Sequence, residues 1–378
     1  MDVIYSMGAR FAGGGIGDTS YYGVQGLYSH GLLKRLICGS FRPTEIPHTS
    51  IKSLGWVSRI FRRIASYDSK NRLDYIYRLF YDRWASHQLQ SCQIFHGWDG
   101  YSLRSLQQAR KMGSITVLDR PIAHPTYLTK LLQDDYSRWG VTYRPALTSQ
   151  NVQKEIKTAD YIFIPSDFVY HTFETENEDT SKLITIPYGV DTEKFHPLPR
   201  GASSQTTFRA IFVGQISIRK GAHYLLEAWK LLGWKDAELL LVGPNKLPSP
   251  IKMKYQNLSG VSYPGFVSNP VELFQQADVF VFPSLIEGSA LVTYEAMACG
   301  LPVITTWNAG SVAEDEEQGL IIPAQNATAV AEALERIRTN ETLRQQMSQA
   351  ARQKAQGFTW KRYGDDVAHT LQMIYDKT

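Results

Sequence analysis

Two hydrophobic patterns alternate along the second half of this 378-residue chain. Unbroken apolar runs such as FRAIFV (208–213), AELLLVG, DVFVFPS and LPVITTW are separated by stretches such as AHYLLEAWKLL, SALVTYEAMACG and ATAVAEALERIRTN, whose apolar positions recur at helical spacing. Runs this short and this apolar read as strands covered on both faces, with the amphipathic helices covering them. Strand and helix in alternation mean βα units on a parallel sheet. The first half carries the same rhythm less clearly: DVIYSM is a brief opening strand, SCQIFHGWD and GSITVLD read as buried strands, and ADYIFIPS echoes ADVFVFPS downstream. That echo predicts two similar α/β folds in tandem. The Pro-, Gly- and Ser-rich stretch HPLPRGASSQTT between them reads as a linker. The predicted organisation is an N-terminal doubly wound domain over 1–195, a linker over 196–207, a second such domain over 208–357 and a C-terminal helix over 358–378. Ligands of such sheets bind at the carboxyl ends of the strands, so a cleft between the domains is the expected site.

Composition is that of an ordinary globular protein, and a net charge of +4 does not suggest nucleic acid as a partner. The charge is unevenly spread, with 11 Lys or Arg against 4 Asp or Glu from His30 to Arg83. Cys38, Cys92 and Cys299 have neither zinc-site nor disulfide-framework spacing. The start MDVIYSMGARFAGGG does not read as a signal peptide, and no apolar run reaches membrane-span length. The expected location is the cytoplasm, with peripheral contact on the inner face of the membrane as a variant of it.

The chemistry concentrates in EGSALVTYE, where Glu287 and Glu295 bracket the start of a helix. On one ideal helix they would lie about 12 Å apart along the axis and about 80° apart around it. Glycosidase carboxylates sit closer, roughly 5–9.5 Å, so the pair suits two contacts on one long ligand. Between them Gly288 and Ser289 open the helix, where free N–H groups favour an anion. In GQISIRKG, Arg219 and Lys220 follow a strand and precede a helix, a place where cations oppose the dipole unless an anionic ligand is bound. Gly214 and Gly221 let that loop turn tightly. Across the expected cleft, GGGIG offers Gly15 and Gly17, a phosphate-contacting loop or a plain turn; it lacks the dinucleotide pattern. A nucleotide-diphosphate sugar has hydroxyls at both ends and a diphosphate in the middle, and matches this arrangement.

PSLIEGSALVTYEAMACGLPVI, FVGQISIRKG and IPYGVDTEKFHP together resemble family 4 of the retaining glycosyltransferases, enzymes with two Rossmann-like domains of the GT-B type and an E-x7-E motif. The close resemblance covers roughly 184–310. It implies that Glu295 holds the donor ribose, that Glu287 contacts the transferred sugar, and that the N–H groups of Ser289, Ala290 and Leu291, beside Gly288, hold sugar and phosphate. Arg219 and Lys220 would bind the diphosphate, with Gly214 in the same loop, and the backbone at Phe266 and Val267 would receive the base. The family often has Arg where Gln215 stands. In the N-terminal half, IFHGWDG resembles a family segment and places His96 and Asp99 after a strand; His124, with Asp119 as the alternative, is the candidate to touch the donor sugar. The resemblance implies retention by same-face attack, no metal and no cofactor, a UDP-sugar donor ahead of GDP-mannose or ADP-glucose, and a glycan or lipid-linked acceptor in polysaccharide or glycolipid synthesis. A sugar-nucleotide epimerase and a non-catalytic nucleotide-sugar-binding protein are the competing readings.

Residues 56–84 combine Arg59, Arg62, Arg63, Arg72, Arg78 and Arg83 with Trp56, Phe61, Ile64, Phe80 and Trp84. Two readings stand side by side: a helix packed into the N-terminal domain with its basic face in water, which is preferred, or a helix lying on an anionic membrane.

Overall fold

The computed structural model describes residues 1–65, 68, 72–198 and 207–377, without the side chain of Arg62. Most of the expected linker, 199–206, therefore lies outside the described residues. The N-terminal sheet contains β1 (Val3–Phe11), β2 (Leu33–Phe41), β3 (Ile51–Ser53), β4 (Ile94–Trp98), β5 (Ile115–Asp119), β6 (Tyr161–Ile164) and β7 (Leu183–Thr185), in the order β3-β2-β1-β4-β5-β6-β7. The C-terminal sheet contains β8 (Phe208–Val213), β9 (Ala237–Val242), β10 (Val261–Gly265), β11 (Val279–Phe282), β12 (Val303–Thr306) and β13 (Gly319–Ile322), in the order β10-β9-β8-β11-β12-β13. Every pairing is parallel. Numbered from its own first strand, the second sheet has the order 3-2-1-4-5-6 of the doubly wound nucleotide-binding fold. β11 and β12 are buried along their length and β8 at all but Arg209 and Val213, as a sheet covered on both faces requires.

The helices are α1 (Ile16–Ser29), α2 (Trp56–Ala65), α3 (Arg72–His87), α4 (Leu103–Lys111), α5 (Pro125–Arg138), α6 (Ser149–Thr158) and α7 (Asp167–Thr175) in the first domain. α8 (Ala222–Leu232), α9 (Ser249–Tyr255), α10 (Val271–Gln275), α11 (Leu291–Ala298), α12 (Ala327–Thr339) and α13 (Glu341–Gln356) cover the second. The last helix, α14 (Trp360–Asp376), returns to pack on α1 of the first domain. The two helix backbones approach so closely that a Cβ at Gly26 would stand 2.0 Å from the Gly364 carbonyl oxygen. The chain crosses between domains twice, and the crossings run side by side: Val190 bridges Thr359, and its N–H donates to the Phe358 carbonyl at 2.9 Å. The Arg352 guanidinium fixes the first crossing by donating to the carbonyls of Phe195 and Ala298 at 2.9 and 2.8 Å.

Three details differ from the sequence pattern. β1 runs to Phe11, past a register shift between Met7 and Arg10, so the opening strand is longer than DVIYSM. α11 begins at Leu291, after both Gly288 and Ser289, and Glu287 therefore stands in a loop and not on the helix of Glu295. The echoed segments form β6 and β11, which hold unequal places in their sheets, since β11 adjoins the first strand of its domain and β6 lies two strands further out. Their serines nevertheless converge: Ser166 donates across the domain boundary to the Gly288 carbonyl at 2.5 Å, and Ser284 stands 3.4 Å from Glu287.

Candidate active site

In each sheet the strand order reverses beside the first strand, between β1 and β4 and between β8 and β11. Loops leaving the carboxyl ends of these strands wall one cleft of 810 Å³. From the second domain come Gly214, Arg219, Lys220, Phe266, the run Glu287–Val292 and Glu295; from the first come Gly15, Asp18, Thr19 and Tyr22. The domains touch tightly at its inner end. A Cβ on Gly288 would lie 1.8 Å from the Pro121 carbonyl oxygen, so only glycine lets the two loops meet.

Glu287 is the electrostatic centre. Its Oε1 lies 2.5 Å from Lys220 Nζ and 2.8 Å from Arg219 Nη1, and the lysine and glutamate side chains are 15% and 12% exposed. Burial pushes the Glu287 carboxyl upward, but the Lys220 and Arg219 charges outweigh it and hold the group below the usual carboxylate range. Burial lowers Lys220, against the pull of Glu287, and Arg219 adds to the lowering. The loop is held from behind, because Leu285 N–H donates to the Arg219 carbonyl at 2.9 Å and Glu287 N–H to that of Asn308 at 2.9 Å.

Next to this cluster α11 presents its N-terminus. Among the described residues the backbone N–H groups of Gly288, Ser289, Leu291 and Val292 have no hydrogen-bond acceptor, as expected in and before the first turn of a helix. Ala290 is different. Its N–H donates to the Ala309 carbonyl at 3.0 Å, so it is not available to a ligand as the sequence suggested. The Ser289 hydroxyl is likewise engaged, with Tyr294 and the Gly310 carbonyl at 2.8 Å each, leaving only its N–H. One helical turn on, the Glu295 carboxyl faces the cleft with no ion pair among the described residues, and burial pushes it up to about 7, with Lys194 pulling the other way.

Other predicted residues are placed elsewhere. Gly17 does not line the cleft; its N–H donates to the Gly14 carbonyl at 3.1 Å, and a Cβ would meet the Arg10 carbonyl at 2.3 Å, so it shapes the loop that presents Gly15. Phe266 lines the cleft and is 79% exposed, whereas Val267 packs against the core. His124 caps α5, accepting from Thr126 N–H at 3.3 Å, with its ring edge-on to Phe173 and Nε2 3.6 Å from Glu178. Burial and the nearby Arg120 lower it to about 4. It is not a cleft-lining side chain. His96 and Asp119 pair with each other at 2.8 Å, Tyr5 donates to Asp119 at 3.1 Å, and Asp99 accepts from Arg120, and none of these five lines the cleft. Sequence reasoning missed Asp18, Tyr22, Lys194 and Trp360. Tyr22 and Trp360 stack at 4.6 Å with 6° between their planes, and lie 338 positions apart, a pairing no local spacing reveals. Among the described residues no three His, Cys, Asp or Glu side chains gather where a metal could sit.

The family model of the glycosyl transferases group 1 matches residues 207–340. The D-inositol 3-phosphate glycosyltransferase of Saccharomonospora viridis is 24% identical over 359 residues, covering 88% of this chain and 78% of that protein. The capsular polysaccharide biosynthesis glycosyltransferase CapM of Staphylococcus aureus is 29% identical over 218 residues, 56% of this chain and 53% of CapM. Among solved structures, sucrose-phosphate synthase of Thermosynechococcus elongatus superposes with a TM-score of 0.72 at 18% identity over the whole of both chains. Anabaena Alr3699/HepE, solved in complex with UDP-glucose, does so with 0.67 at 15% identity over 99% of this chain and 100% of that one. Neither the epimerase nor the non-catalytic reading is favoured by these likenesses. With two facing parallel sheets and these structural likenesses the chain has the GT-B fold, and its residues 207–340, which carry Arg219, Lys220, Glu287 and Glu295, are similar to the group 1 glycosyl transferases.

Proposed function

We propose that the protein transfers a sugar from a nucleotide-diphosphate sugar, a UDP-sugar first among the candidates, to a glycan or lipid-linked acceptor with retention of anomeric configuration. The observation that carries this reading is the ion cluster of Arg219, Lys220 and Glu287 set against the open N–H groups at the start of α11. Two cations and a helix N-terminus suit a diphosphate, and they stabilise it most as the leaving-group charge develops. Glu295 accepts from the ribose hydroxyls, and Phe266 stands at the exposed end of the cleft for the base. The structure of HepE with UDP-glucose supports the choice of nucleotide.

In the proposed step the bond from the sugar C1 to the β-phosphate oxygen breaks while the acceptor oxygen adds to C1 on the same face. The acceptor proton passes to the departing phosphate oxygen. Glu287, kept ionised by its two cations, faces the positive charge that builds on the sugar ring and takes no proton. Arg219, Lys220 and the helix N-terminus supply the positive charge for the phosphates, so the reaction is proposed to need no divalent metal. Calorimetric titration with UDP, GDP and ADP in the presence of a chelator tests the reading, with Glu295→Gln and Lys220→Ala alongside. One nucleotide binding tightly, and more weakly to both variants, is the expected outcome. Binding of none by the wild-type protein refutes the donor site; binding only when a divalent metal is restored refutes metal independence.

A further inference from the structure

The segment 56–84 holds seven Lys or Arg against three Asp, an excess of four that equals the excess of the entire chain, 40 against 36. Its carboxylates are all turned to internal use. Asp68 accepts from Leu73 N–H at 2.8 Å, Asp74 pairs with Arg78 at 2.7 Å, and Asp82 is buried and accepts from the N–H groups of Arg104 and Ser105 at the start of α4. Arg59, Arg72 and Arg83 are exposed and have no carboxylate partner among the described residues. The Arg62 side chain lies outside those residues.

Apolar side chains share the same outer surface. Among the described residues, six of the 18 exposed large hydrophobic side chains fall within positions 56–80: Trp56 at 66%, Ile60, Ile64, Ile76, Leu79 and Phe80. Scattered exposed apolar residues need no explanation, but a concentration of this kind does. Their spacing puts Trp56, Ile60 and Ile64 on one stripe of α2, and Ile76, Leu79 and Phe80, flanked by Arg72 and Arg83, on one stripe of α3. Phe61 stacks on Phe80 at 5.9 Å, so the two stripes are neighbours. The inner face of α3 is packed conventionally through Tyr77, Tyr81 and Ala85, and the Tyr77 hydroxyl donates to the Gly8 carbonyl at 2.6 Å. The preferred packing of the segment into the domain therefore holds for one face of α3 and leaves the other face without a partner among the described residues.

We propose that the exposed face formed by α2 and α3 adsorbs the protein on an anionic lipid bilayer. Large apolar side chains, one of them Trp, enter the headgroup boundary while unpaired arginines meet the lipid charges. Charge complementarity favours this occupant, since a second copy of the chain would bring the same basic surface against itself. Among the described residues no helix is long and apolar enough to cross a membrane, so attachment through this face is peripheral. α2 begins three residues after β3 ends, at the carboxyl edge of the sheet where the cleft opens. Adsorption there keeps the cleft close to the lipid surface.

Co-sedimentation of the full chain with phosphatidylcholine vesicles, with and without about one third phosphatidylglycerol, tests the proposal. The wild-type protein is expected to bind the anionic vesicles and to be released by salt. Arg59→Glu with Arg83→Glu, and separately Trp56→Ser with Ile60→Ser, should each lower the partition coefficient by about tenfold or more. Unchanged nucleotide affinity and unfolding midpoint in these variants show that they remain folded; if either double variant does not fold, the salt and lipid-charge dependence of the wild-type protein decides alone. Absence of wild-type binding, binding indifferent to lipid charge, or binding undiminished in folded variants overturns it. So does self-association in ultracentrifugation that the same substitutions abolish, which would make a second copy the occupant.

Discussion

The two domains share a sheet topology and differ in where they aim their polar side chains. In the second, the loops after β8 and β11 deliver Arg219, Lys220 and Glu287 into the cleft, bonded chiefly to one another. In the first, the polar residues at the strand ends are turned toward each other inside the protein: His96 beside Asp119, Arg120 beside Asp99, His124 on the first turn of α5. What its β1 loop offers the cleft is backbone at Gly15, one carboxylate at Asp18 and the ring of Tyr22. Fold does not set this division; the loops do. A wall carrying fixed charge suits a ligand whose own charge is fixed, and a wall of backbone and aromatic surface suits a neutral one.

The sharpest way to break the comparison is to remove charge from the second domain. Lys220→Ala should lower kcat by about 10²–10³-fold, the usual effect of losing one stabilising donor at a developing charge. Steady-state transfer at saturating donor measures it. If the loss stays within a few-fold, the charged wall is not the one that works on the leaving group.

A second test asks whether the walls must touch. In Gly288→Ala the new Cβ would lie 1.8 Å from the Pro121 carbonyl, and no side-chain movement relieves a clash with backbone. The domains have to part. Misplacement of about 1 Å between reacting groups costs on the order of 10²-fold in rate. The expected result is a fall of that size in kcat with nucleotide affinity close to that of the wild-type protein, because the proposed nucleotide contacts sit on one side. A parallel loss of nucleotide affinity would mean that the first domain holds the donor as well.

The unequal legibility of the two halves has the same cause. Arg219, Lys220, Glu287 and Glu295 were readable because each sits a fixed number of residues past a buried strand, and local chain geometry alone carries them to the cleft. So was the alternation of strands and helices that fixes both sheets. His124 was misread because its environment is made by Thr126, Phe173 and Glu178, the last two on or after α7, and no spacing within DRPIAHP shows that. Ala290 was misread because its N–H is taken by Ala309, on the far side of β12. The start of α11 was placed too early because Gly288 and Ser289 read as a helix opening, whereas they are fixed by Pro121, Ser166 and Gly310 from outside it. Tertiary partners distant in sequence decide all three.

Glu295 gives a smaller, pH-dependent effect. Burial pushes its carboxyl up to about 7, so below that pH it carries a proton, and in the proposed donor complex only the ionised form would accept from both ribose hydroxyls. Donor affinity should rise as pH increases from 6 to 8, by no more than about tenfold per unit below the pKa. A nucleotide sugar is the right probe, since its diphosphate does not titrate in this range. The dependence should vanish in Glu295→Gln, and a flat wild-type profile would place the ribose elsewhere. Folding responds in the opposite sense. The folded state holds this proton more tightly than the unfolded one, so the group's contribution to stability declines as pH climbs from the ordinary carboxylate range toward 7.

The smallest effect on catalysis is expected at His124, which makes it the cleanest probe of the first domain. Its Nδ1 accepts from Thr126 N–H, which requires the neutral ring that burial and Arg120 enforce. His124→Ala removes a helix cap and should cost about 1 kcal/mol of stability, read from urea unfolding. Because the folded-state value is depressed to about 4, the stability it confers is present above about 6.5, the ordinary histidine value, and is lost as pH falls from there toward 4. That acid-side slope should flatten in the variant. Transfer should stay within about twofold of the wild-type rate, since a cap away from the cleft adds nothing to transition-state binding. A loss in kcat as large as that of Lys220→Ala, at unchanged stability, would return His124 to the donor sugar and make the two walls alike.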